Sequence, residues 1–126
     1  MSNYSKFFRI SLFAESILII YFSLIPYTPS VPGGPEFIVN IYGYIEHFLA
    51  YFAYGILWER VLNYTRFKKS RIILALLIGS VFGGLNELAQ SFVPNRHMDL
   101  IDWLMDIIGS GSGGYFVARK VKASSF

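Results

Sequence analysis

Four long apolar blocks constrain this chain more than any other feature. They run roughly over 10–25, 45–62, 72–93 and 100–117. The breaks between them are marked by proline and glycine or by charged residues. Pro26, Pro29, Pro32, Gly33, Gly34 and Pro35 end the first block, and Pro94 ends the third. An α-helix rises ~1.5 Å per residue, so blocks of about 16 to 22 residues come near the thickness of a hydrocarbon layer, ~30 Å. Hydrophobic residues make up 54% of the 126 residues and charged residues only 15%. A soluble domain usually carries about 25% charged residues, and one of this size cannot hide four such blocks. The expectation is an all-α, integral membrane four-helix bundle forming a single domain. The second and fourth blocks each carry polar groups near one end.

The basic residues orient the blocks. Lys6 and Arg9 precede the first. Arg60, Arg66, Lys68, Lys69 and Arg71 surround the second-to-third connection, and Arg119, Lys120 and Lys122 follow the fourth. These are ten of the eleven Lys and Arg residues, and four spans put all ten on one side; the exception is Arg96. The positive-inside rule then places both termini and the middle loop in the cytoplasm of a multi-pass membrane protein. The net charge of +3 sits in these short clusters, so it reads as topology and not as a nucleic-acid footprint. Lys6 and Arg9 also fit the start of a signal peptide, but Phe22-Ser23-Leu24-Ile25-Pro26 offers no pair of small residues for cleavage. Tyr27, Tyr42, Tyr44, Trp58, Tyr64, Trp103 and Tyr115 flank the spans at interfacial levels. The absence of cysteine excludes disulfides, thiolate metal sites and a Cys nucleophile.

Ionisable residues inside membrane spans default to function, and here, with Glu15 alone in the first span, most of them gather at the ends opposite the basic clusters. Glu46 and His47 begin the second span. Asn86, Glu87 and Gln90 end the third, Arg96 lies in the following loop, and Asp99, Asp102 and Asp106 begin the fourth. Asp99, Asp102 and Asp106 share one helical face, which Gly109 and Gly113 continue. Gly79, Gly83, Asn86 and Gln90 form a matching face, as do His47, Tyr51, Tyr54 and Trp58. The expectation is close packing through the glycines in one half and an acidic crevice in the other. The mutual repulsion of the carboxylates requires Arg96, a protonated His47, retained protons or a bound cation.

Two stretches carry a family resemblance. His47-Phe48-Leu49-Ala50-Tyr51-Phe52 resembles the His-Phe-x-x-Tyr element of the VanZ-like family. Glu87 through Arg96 resembles its Glu-x-x-Gln-x-x-x-Pro-x-Arg element, and Asp99, Asp102, Gly109 and Gly113 fall at its acidic and glycine positions. The resemblance covers roughly residues 43–116. It implies a small multi-span bacterial membrane protein, in a family whose named member is associated with resistance to the glycopeptide teicoplanin. The chain departs from the pattern at Gly43 and Tyr44, where the family often has Asp-Lys. It also has Asp106 where Asn is common, and Asn95 where Gly is common.

These readings make Glu46, His47, Tyr51, Glu87, Gln90, Arg96, Asp99, Asp102 and Asp106 candidate headgroup-binding residues at the outer leaflet, for a lipid-linked envelope component. Two alternatives stand beside this. One is an intramembrane hydrolase or transferase, with His47, Glu87 or Asp102 in catalytic roles and Glu87, Asp102 and Asp106 as oxygen ligands of a divalent cation. The other is a proton or ion translocator, which the apolar inner halves of the third and fourth spans disfavour. The bland alternative for Glu87, Gln90, Arg96 and Asp102 is a polar network that locks the helices together. The Gly109–Gly114 run lacks a P-loop lysine and reads as packing. No organic cofactor is implied; membrane lipids are the expected surroundings, and the glycine faces permit a homodimer.

Overall fold

A computed structural model of the chain describes residues 2–26 and 34–124. Tyr27, Pro29, Pro32 and Gly33 of the first proline- and glycine-rich break lie outside the described residues. Four α-helices follow one another: α1 Asn3–Leu24, α2 Glu36–Asn63, α3 Arg71–Gln90 and α4 Leu100–Ala123. A single 3-10 turn, Lys68–Ser70, precedes α3, and the described residues contain no strand.

Local chemistry sets the helix ends. Ser2 Oγ caps α1 by accepting from the Ser5 N–H at 3.2 Å. Ile25 leaves the helix in an extended conformation, as a residue before proline must. The carbonyl of Pro35 starts α2 by accepting from the N–H groups of Ile38 and Val39 at 2.9 and 3.1 Å. Asp99 caps α4 through the Ile101 N–H at 2.8 Å. Helix α2 therefore begins about nine residues before the apolar block that marks it, because Asn40 and Gly43 interrupt the apolar run without breaking the helix. The added turns bring Tyr44 to the polar site.

Successive helices run antiparallel, as three contacts show. Glu59 near the end of α2 pairs with Arg71 at the start of α3. Arg60 lies over the ring of Phe8, near the start of α1, at 6.0 Å. At the opposite end His47 of α2 meets Glu87 of α3 and Asp106 of α4. The ten clustered basic residues thus belong to one end of the bundle and Arg96 to the other.

Helices α2, α3 and α4 form the tight unit, and α4 packs against both others. Its buried face is Asp106, Gly109, Ser110, Gly113, Gly114, Val117 and Ala118, a helical stripe of mostly small residues. A methyl group on Gly113 would run into the Phe52 carbonyl of α2, and one on Gly83 of α3 would lie 2.6 Å from Asp106 Oδ2. The glycine stripes thus pack helices of the same chain. Tyr54 stacks on Phe82 with ring centroids 5.0 Å apart. Among the described helices α1 packs against α2 and α3, with Ser5, Leu12, Ile19 and Ser23 buried.

Polar side chains are buried within the bundle and many large apolar ones face outward. Glu59, Asn86, Glu87, Gln90, Asp106 and Ser110 are buried, whereas Phe13, Ile17, Phe22, Ile73, Val81, Leu85 and Leu104 are exposed. Helix α1 and the segment Lys68–Gln90 are each long and apolar enough to cross a membrane.

Candidate functional site: a His–Glu–Asp cluster among three helices

Each helix of the tight unit contributes one buried or half-buried ligand-type group. From α2, the imidazole of His47 sits in the middle. Its Nδ1 hydrogen-bonds Asp106 Oδ1 of α4 at 2.8 Å. The same nitrogen lies 4.0 Å from Glu87 Oε1 of α3, and Nε2 lies 3.7 Å from Asp102 Oδ2. Asp106 is 0% exposed and Glu87 1%. Asp102 and Asp106 share a face one turn apart, so both address His47 from α4.

The loop between α3 and α4 completes the site. Glu87 Oε2 accepts from the Asp99 backbone N–H at 2.9 Å, tying the start of α4 to the end of α3. Val93, Pro94, Asn95 and Arg96 form a tight turn in which the Arg96 N–H donates to the Val93 carbonyl at 3.2 Å. Asn95 has φ 62°, a left-handed conformation that glycine and asparagine tolerate best. Proline followed by a residue of positive φ is the pattern of a type II turn. Arg96 thereby turns back onto α1: its Nε and Nη2 donate to the carbonyls of Ile25 and Phe22, each at 2.9 Å. The Gln90 amide, oriented by its neighbours, accepts from Arg96 Nη1 at 3.1 Å and donates to Glu87 Oε1 at 3.2 Å. One continuous network therefore runs from His47 through Glu87, Gln90 and Arg96 to the end of α1.

Most of the residues singled out from the sequence meet here. His47, Glu87, Gln90, Arg96, Asp99, Asp102 and Asp106 are brought together. Tyr51 is buried one turn along α2 from His47, where its hydroxyl accepts from Asn86 Nδ2 at 2.9 Å. Glu46 is exposed beside His47 and lies outside the ligand trio. The ligand atoms of His47, Glu87 and Asp106 all lie within 4.8 Å of one another, so the compact trio contains His47, with Asp102 on its far nitrogen.

Two features escape the sequence reading. The Tyr44 hydroxyl donates to Asp99 Oδ2 at 3.3 Å, at a position lying before the second apolar block. At the basic end, Glu59 is 1% exposed and its Oε1 accepts from Arg71 Nε. Glu59 lies two helical turns beyond Tyr51, with Gly55 between them, so its place on the buried face of α2 is the signal that marks it.

A histidine flanked by carboxylates can accept or hand on a proton, orient a polar headgroup or take part in holding a cation. Compared with family models, curated proteins and solved structures, the chain shows no significant match to any.

Proposed function

We propose that this chain is a VanZ-like integral membrane protein with four spans and both termini in the cytoplasm. Its polar site then works at the outer leaflet, where it recognises the headgroup of a lipid-linked envelope component. The expected consequence is a change in glycopeptide susceptibility, selectively towards teicoplanin.

The observation that carries the reading is the convergence of His47, Glu87, Gln90, Arg96, Asp99 and Asp102 at the end of the bundle away from the basic clusters. The apolar exterior supports a lipid environment, since exposed Phe, Ile and Leu at this density suit hydrocarbon better than water. The turn at Asn95 supports the family reading. A position with positive φ suits the glycine common in that family and the asparagine found here.

A second reading is favoured by the placement of His47. Nδ1 against one carboxylate and Nε2 facing another is the setting of a positioned general base, as an intramembrane hydrolase or transferase acting on lipid-linked substrates requires.

The test is teicoplanin and vancomycin susceptibility of a sensitive Gram-positive host expressing the protein, beside Glu87→Gln and Asp102→Asn at matched membrane levels. Selective protection against teicoplanin that both variants lose supports the reading. No protection by well-folded protein overturns the resistance role. The topology is tested separately with His97→Cys, since His97 is exposed in the α3–α4 loop and the chain has no other cysteine. Labelling by a membrane-impermeant maleimide from outside intact cells is expected; labelling only after lysis overturns the orientation.

A further inference from the structure

The geometry points to a divalent-cation site of the zinc kind formed by His47 Nδ1, Glu87 and Asp106, with Asp102 as the orienting carboxylate behind the imidazole. The site overlaps the one proposed above for headgroup recognition, and the inference names what that site holds first.

Three observations carry it. The donor set is one imidazole nitrogen and two carboxylates from three helices, with the ligand atoms all within 4.8 Å of one another. Ligand atoms about one zinc ion stand ~3 to 3.5 Å apart, given bond lengths of ~2.0 to 2.2 Å. Here Nδ1 is 2.8 Å from Asp106 Oδ1 and 4.0 Å from Glu87 Oε1. Small side-chain movements, which open one pair and close the other, bring them to ligand spacing.

The second observation is Asp106 Oδ2. Asp106 is 0% exposed, and this oxygen has no hydrogen-bond partner among the described residues. It is turned towards α3 beside Gly83, one turn from Glu87. A buried carboxylate oxygen left unpaired is costly, and a cation between α3 and α4 satisfies it.

The third is the position of Asp102. A metal-bound histidine normally offers its other nitrogen to a carboxylate, which fixes the tautomer and raises the ligand's basicity. Asp102 Oδ2 lies 3.7 Å from His47 Nε2, on the side away from the trio. With the Nε2 proton turned to Asp102, the ion takes the place of the proton shared by Nδ1 and Asp106 Oδ1, which is released to solvent.

The donor types select the metal. Imidazole with carboxylate suits Zn²⁺ and its neighbours, whereas Ca²⁺ takes six to eight oxygens. Three protein ligands leave a fourth position open, as in zinc sites that bind water or a substrate oxygen.

The experiment is direct titration of metal-stripped, tag-free protein in detergent with Zn²⁺, against a zinc-binding dye. One saturable equivalent is expected. Asp106→Asn and His47→Gln should each weaken it by at least about tenfold, and Asp102→Asn by about ten- to a hundredfold, as loss of an orienting carboxylate does. His97 is the other histidine and is exposed, so His97→Gln should bind as the wild type does. In that variant His47 is the sole imidazole, and Cu²⁺ in competition with Zn²⁺ should show nitrogen hyperfine coupling in its paramagnetic resonance spectrum. This holds even if the ligand variants fail to fold. Absence of saturable Zn²⁺ binding by folded wild type, or no imidazole nitrogen in His97→Gln, overturns the site. Since the assay contains no antibiotic or lipid-linked substrate, a negative result leaves the susceptibility test to be judged by itself.

Discussion

His47 and Asp106 hold each other at 2.8 Å across the α2–α4 interface, with the aspartate wholly enclosed by the bundle. The bond joins two helices that also meet through glycines, the Tyr44–Asp99 hydrogen bond and the Phe52–Phe116 ring contact. Each partner is the other's main polar satisfaction in a place where water is scarce.

Asp106→Ala should therefore destabilise the fold by about 1–3 kcal/mol, the range for leaving a buried polar partner unpaired. Asp106→Asn keeps an acceptor for the imidazole and should lose less than half as much. Unfolding by sodium dodecyl sulfate in mixed micelles, followed by helical circular dichroism, measures both. Equal losses would mean that packing and not the hydrogen bond sets the effect.

The glycine contacts predict opposite signs at two positions. At Gly113 a methyl group meets the Phe52 carbonyl, so Gly113→Ala must separate α2 from α4 and should destabilise by about 1–3 kcal/mol. At Gly43 a methyl group meets nothing within 4 Å. Gly43→Ala should be neutral or stabilise by up to about 1 kcal/mol through helix propensity. The same unfolding titration decides both.

Buried Glu59 and half-buried Arg71 form an ion pair at the basic end. Removing Glu59 leaves an Arg71 that still reaches the surface and the Lys68 carbonyl, so Glu59→Ala should destabilise by about 1.5–3 kcal/mol, the range for a hydrogen bond to a charged group. The double variant Glu59→Leu with Arg71→Met should recover most of that loss. A double-mutant cycle in the same micelles reads the coupling, and additive losses would contradict it.

Arg96 holds the end of α1 through two carbonyls at 2.9 Å. Lysine keeps the charge but not the planar fork, so Arg96→Lys should loosen residues 22–25 by about 1.5–3 kcal/mol, the range for hydrogen bonds to charged groups. Amide hydrogen exchange should rise there and stay unchanged through 47–58 of α2. Faster exchange in both segments would make Arg96 a support of the whole bundle.

The four helices were legible because apolar runs of this length, divided by proline and charge, leave few other arrangements. The antiparallel order was legible in the one-sided basic clusters. Convergence of His47, Glu87 and Asp106 followed from helical spacing, since each lies on the small or polar face of its own helix. What stayed hidden depends on pairing between helices. Glu59 sits among basic residues and reads as one more surface charge, until the packing of α2 against α4 encloses it. Tyr44 was hidden because a helix that starts on a proline carbonyl needs no apolar run to continue. The partners of Arg96 were hidden because a guanidinium that grips backbone carbonyls leaves no trace in side-chain chemistry.

The peripheral seat of α1 bears on how the protein is built in the cell. Every member of the His–Glu–Asp cluster comes from α2, α3 or α4, and α1 joins them along one narrow stripe and one arginine clasp. Among the described helices α1 comes before the other three, yet it supplies no member of the cluster. Its packing on α2 needs nothing beyond α2, but the clasp on its end closes only once the α3–α4 turn has been synthesised and can offer Arg96. A chain lacking α1, rescued by the same helix expressed as a separate peptide, is the arrangement this architecture permits.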